Sequence, residues 1–525
     1  MKFTSVLLAV LLGTAAWAQK PVAAGAETTH LSVLVTDDHG APIRDLAGKD
    51  FGVESGGKSQ PGQIRSFAPI AEPVVVSDGE FTDRNNPAKG RGLVVIVLDT
   101  IHTRWMDEKD VRPLITAYLA SCARANSPVS LLVMDPDDVL HSVHNYAASS
   151  ATLAAALERS DAIVHGRTSA AEVSPDVAAE AARLVDFLKG TTANFTAESQ
   201  PLRARPEPVL RMFRTVAEAT LGIPGRKSLV WITNITPFEV DEKTGMVATL
   251  SGFGGDSIAG ASNERREMLT PDEVKALRPI WKSSMTALLR AEVAVVAVST
   301  RRSAATSFDP QMLHAMHVVA DITGGREIHG PDPFLLLADL PAQNLAAYDL
   351  AGPSNSDGCK SDWCRLKITV DRPGAHVLGP TGFFRDPKAG GDDYSLAAGL
   401  AAPLDFMELP FTLSWASNPP SPEAERKVRF VVTFPPEAEM PEPTGNQLNL
   451  EILVRATGAH GGNPQNATFN AAGQLSPEQA QQAHEKGFAL NNVIELAPGE
   501  YTIKFLVHDK LTGRLGSITV PLKVS

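Results

Sequence analysis

Through the middle of the chain, uninterrupted aliphatic runs alternate with helical patterns. Leu93 to Leu98 is the first run and ends in Asp99; Val129 to Met134, Leu229 to Thr233 and Val293 to Val298 follow. A strand covered on both faces has no polar side to alternate with, so such runs predict the buried strands of a parallel sheet. Between them, Thr270-Pro271-Asp272-Glu273 predicts a helix start, with Thr as N-cap, Pro at the first helical position and Glu closing a capping box. Val274, Leu277, Trp281, Met285 and Leu288 continue it at helical spacing. Val111, Leu114, Ile115, Tyr118, Leu119 and Cys122 form another apolar helix face, which makes Cys122 a core thiol. The predicted fold class is α/β: a doubly wound, Rossmann-like domain over 91–345.

The flanks read differently. Short β elements at 31–35, 51–53 and 64–67 predict a small β module over 29–70, and the Pro- and Asp-rich stretch 71–90 reads as a linker. Residues 346–384 form a further β segment, containing the strand Leu366 to Val370, that either packs with 29–70 or stands apart. From 400 to 525, alternating strands separated by turns predict an Ig-like β-sandwich. The Gly-, Ser- and Asp-rich stretch 239–268 reads as a long surface loop beside the third run, and as the leading candidate for partner contact.

Composition narrows the function. The chain has 525 residues, 48 Lys+Arg against 60 Asp+Glu and a net charge of −12. That acidic balance, without a basic cluster, argues against nucleic acid and anionic membranes. No apolar stretch past the N-terminus is long enough to span a bilayer. Lys2, the apolar run Val6 to Leu12 and Ala16-Trp17-Ala18 predict a signal peptide over residues 1–18, cleaved before Gln19, and hence a secreted or periplasmic protein. Cys359 and Cys364, five apart, then read as a disulfide with a metal site as the alternative; closing so small a loop is worth ~2 kcal/mol.

Several tempting motifs carry no chemistry. Gly52 to Ser59 satisfies the phosphate-loop pattern, but Gln60-Pro61-Gly62 stops the helix that such a loop needs, and a hairpin turn is expected instead. The pairs His141/His144 and His314/His317 lack the Glu of a zinc-protease helix. No nucleophile has a local partner, and the chain is not read as an enzyme. Asp135-Pro136-Asp137-Asp138 reads as an acidic turn at the second strand's exit. More promising are Asp99-Thr100-Ile101-His102-Thr103 and Asn234, which stand where two buried strands end, the place where open α/β sheets gather ligands.

Taken with Asp99, four further stretches resemble the secreted VWFA-related family common in acidobacterial proteins. They are Val33-Leu34-Val35-Thr36-Asp37 with Asp50-Phe51-Gly52-Val53, Pro224 to Val230, Asp321 to Arg326, and Pro498-Gly499-Glu500-Tyr501 with Gly513 to Ser517. Residues 93–330 resemble a von Willebrand factor type A domain. The resemblance implies a Mg²⁺ site built from a D-x-S-x-S loop, a Thr from a second loop and an Asp from a third. Asp99 matches the first carboxylate, Thr103 the second hydroxyl and Thr168 the second-loop Thr, whereas Ile101 replaces a hydroxyl and Asn234 replaces the last Asp. Losing one carboxylate charge beside a divalent ion costs on the order of a few kcal/mol at an effective dielectric of about 20, so the site is degenerate. The resemblance implies an adhesion-type protein that binds an extracellular or envelope protein or glycan. The alternative is a structural component of envelope assembly with a metal-free type A spacer.

Overall fold

The structure is a computed structural model. It describes residues 30–55, 58–61, 64–66, 82–84, 90–103, 105–167, 173–190, 205–234, 236–241, 244–248, 270–299, 310–329, 333–351, 359, 361–385, 396–416, 427–436, 446–458 and 463–524. The signal-peptide segment 1–18 and Thr168 lie outside them.

The four aliphatic runs are strands β1 (Val94–Asp99), β2 (Val129–Met134), β4 (Lys227–Ile232) and β5 (Val293–Ser299), joined by β3 (Leu140–His144) and β6 (Arg326–His329). They form one six-stranded sheet of order β3-β2-β1-β4-β5-β6. Every neighbouring pair is parallel except β2–β3, which is antiparallel. The order reverses between β1 and β4, which are direct neighbours, and this is the crevice where such sheets place ligands.

Each run is continuous because both sides are covered, and the period of two still sorts its residues. Val95, Val97, Leu229, Trp231, Val295 and Ala297 join one core, with helices α4 (Pro206–Thr220) and α5 (Pro271–Arg290). Val94, Ile96, Leu98, Val230, Ile232 and Val298 join the other, with α1 (Trp105–Arg124), α2 (Ser150–Val164) and α3 (Pro175–Lys189). The capping box at Thr270 is formed: its hydroxyl accepts from Glu273 N at 3.3 Å, and Glu273 Oε2 accepts from Thr270 N at 2.7 Å. Cys122 is buried in the α1 face, and burial pushes its thiol up to about 11.

The N-terminal β module interleaves with the β segment 346–384. The strand His30–Thr36 lies between Tyr348–Ala351 and His376–Leu378, and Phe51–Ser55 lies between Trp363–Val370 and Lys58–Pro61. Leu31, Val33, Phe51, Val53, Tyr348 and Leu350 share one core. Within each region, among the described residues, only one two-stranded pair hydrogen-bonds, Phe51–Ser55 with Lys58–Pro61 and Trp363–Val370 with Gly382–Phe384; a lone pair is marginal, so each region completes the other. The phosphate-loop match falls on the antiparallel pair Phe51–Ser55 and Lys58–Pro61, with Ser55 opposite Lys58. Cys359 and Cys364 form a disulfide where Trp363–Val370 begins.

Towards the C-terminus, two four-stranded antiparallel sheets face a single core of Phe411, Phe430, Phe434, Ile452, Val454, Phe505 and Val507. Two expectations change here and in the central unit. Residues 82–84 of the anticipated linker form the strand Thr82–Arg84, an edge of the C-terminal unit paired with Thr412–Ala416. Part of the anticipated surface loop 239–268 is a hairpin, Glu239–Asp241 with Met246–Ala248, whose Val240 and Val247 are buried in the central core. Apolar burial holds it inside the fold; residues 242–243 and 249–269 lie outside the described ones. No helix among the described residues is long and apolar enough to cross a membrane.

Candidate functional site

Asp99 ends β1 with its side chain fully buried. Its Oδ1 accepts from the backbone N–H groups of Ile101 and His102, both at 3.1 Å. Its Oδ2 accepts from His102 Nδ1 at 2.8 Å and from the indole Nε1 of Trp231, on β4, at 3.2 Å. A carboxylate offers about four lone-pair positions, and here four donors occupy them. Because Asp99 can only accept, the pair fixes Nδ1 as the His102 donor.

The surrounding loop is pinned as tightly. Thr100 Oγ1 donates to Met134 O at 2.8 Å, joining the exits of β1 and β2. Asn234 N donates to His102 O at 3.4 Å, joining the exits of β1 and β4. Thus Asp99, Ile101, His102, Thr103 and Asn234 gather at one end of the sheet, all buried. Ile101 packs into the core covered by α4 and α5. Among the described residues, His102 Nε2 and Thr103 Oγ1 are buried there without a hydrogen-bond partner. Thr168, the remaining member of the sequence-derived set, lies outside the described residues.

Three of the other histidines contact carboxylates. His141 Nε2 contacts Asp135 Oδ2 at 2.6 Å in the acidic turn, and His144 Nδ1 meets Glu180 Oε1 at 2.6 Å in a buried pair. His317 pairs with Asp321 at 3.1 Å on the surface of its helix.

Sequence reasoning missed the parts played by His102 and Trp231. The spacing of His102, three residues after Asp99, was a usable signal, since a tight turn returns such a residue to the carboxylate. Trp231 gave none, because inside an aliphatic run it reads only as core. Compared with known proteins, the chain matches no family model and no curated sequence.

Proposed function

We propose that this chain is a secreted binding protein of the von Willebrand factor type A-related kind. Its central α/β unit presents the strand-end loops around Asp99, Thr103 and Asn234 to a protein or glycan partner, and it does so without a metal ion. The observation that carries this reading is the Asp99 carboxylate, whose lone pairs are all engaged by protein donors. A hard cation needs charged oxygens, and this donor set leaves it none, so the residues do not fit Mg²⁺. Asp99 then acts as an organiser of the loop that follows β1. The strand order, with its single antiparallel edge strand, supports the type A reading. The two C-terminal sheets around one core support the Ig-like β-sandwich.

Envelope assembly is the second reading. It draws on the ten-residue strand Gln465–Gln474, which stands at a sheet edge with mostly exposed side chains and could pair with another chain.

The test is binding of the chain to immobilised envelope proteins and polysaccharides, with and without EDTA. Saturable binding that survives EDTA and falls in Asp99→Asn supports the proposal. Binding abolished by EDTA overturns the metal-free part. Self-association unchanged in Asp99→Asn, with no partner bound, favours the assembly reading.

A further inference from the structure

At the opposite end of the central sheet, three metal-ligating side chains from distant parts of the chain converge. They are His30, which opens the first N-terminal strand, Glu292, in the turn between α5 and β5, and Asp349, on the strand Tyr348–Ala351. One ligand atom from each lies within 4.8 Å of the others. His30 Nδ1 is 3.0 Å from Asp349 Oδ2, with 44% of the His30 side chain and 13% of the Asp349 side chain exposed.

Two observations set Glu292 apart from a solvated surface carboxylate. Its backbone is left-handed, φ 52°, an uncommon state for a residue with a side chain. Among the described residues, no donor hydrogen-bonds to its half-buried carboxylate. Burial pushes that carboxyl above its ordinary range and the Asp349 charge adds to the push, while Lys227, His30 and Arg226 pull the other way. Lys227 acts on it by charge alone: its Nζ donates to Ile223 O at 2.6 Å, and no ion pair within 4.0 Å joins it to Glu292 among the described residues.

We propose that His30, Glu292 and Asp349 bind one divalent transition-metal ion that pins the N-terminal β unit to the central sheet. One imidazole nitrogen with two carboxylate oxygens suits a borderline ion better than Mg²⁺ or Ca²⁺, and Zn²⁺ fits best. Two atoms bound to zinc at about 2.1 Å stand about 3.4 Å apart in a tetrahedron, so shifts of about 1 Å close the observed group. Water fills the fourth position from the exposed His30 side. The three ligands come from three separate elements, so the ion joins them only in the folded chain and stabilises it. The site is independent of the Asp99 end.

The experiment is calorimetric titration of ZnCl₂ into the chelator-treated chain, beside Glu292→Gln, Asp349→Asn and His30→Ala. The expected result is one saturable site, weakened at least about tenfold in each variant, and a thermal midpoint that zinc raises only in the parent. Because His30 is exposed, His30→Ala keeps the test readable should another variant fold poorly. Absence of saturable binding up to about millimolar zinc overturns the proposal. So does an isotherm unchanged in all three variants, which would put the ion on surface pairs such as His376–Asp38.

Discussion

The indole of Trp231 donates to the carboxylate of Asp99 at 3.2 Å, a bond between neighbouring strands that fills the last acceptor position of a buried acid. Asp99→Ala removes the acceptor of four buried donors at once. We expect a loss of about 3–5 kcal/mol, read as a fall in the urea midpoint. Asp99→Asn keeps one acceptor oxygen and should lose less. A loss below about 1 kcal/mol in Asp99→Ala would show that the carboxylate does not organise this loop.

Thr103 offers the opposite case. Among the described residues its buried hydroxyl has no partner, so its desolvation there is not offset by a hydrogen bond. Thr103→Val keeps the shape and should raise stability by about 1–2 kcal/mol in the same urea assay. If the hydroxyl serves a bound partner, the variant instead weakens binding while remaining stable. A clear loss of stability would mean that the hydroxyl is bonded within the fold.

Lys504 is buried in the C-terminal unit, where Nζ donates to Ala402 O at 2.6 Å and Leu404 O at 2.8 Å. Burial pulls its ammonium down to about 8 against the opposing pull of Asp405, while the unfolded chain keeps the ordinary 10.5. Between those values the unfolded state binds more protons, so stability rises with pH, by about 2 kcal/mol from this lysine at about pH 9.5. Lys227, also lowered to about 8 by burial, adds a similar share. Urea midpoints from pH 7.5 to 9.5 should therefore climb, and Lys504→Met should show about half the climb. Equal slopes in parent and variant would refute this.

Much of the central unit was legible because buried strands and capped helices announce themselves locally. The runs ending at Asp99 and Met134, and the Thr270 box, depend on neighbours a few residues away. The strand Gln465–Gln474 was not legible, since its inward face carries only Ala467, Phe469 and Ala471 among polar and small side chains. The helix Pro477–Lys486 could have been found: Ser476 caps it and Gln479 closes the box, a signal as clear as that of Thr270. Thr82–Arg84 carries three residues of pattern, too few to distinguish an edge strand from a linker.

The sequence by itself determined four of the parallel strands, the helix faces around Cys122 and after Thr270, the disulfide pair and the placing of Asp99 and Asn234 at strand ends. Periodicity and spacing are local, and burial acts on them wherever the rest of the chain lies. Only the tertiary structure decided that Trp231 meets Asp99, that residues 30–55 interleave with 348–370, and that His30, Glu292 and Asp349 converge. Those contacts join positions dozens to hundreds of residues apart. No local pattern encodes them, because they follow from closing one set of apolar faces against another.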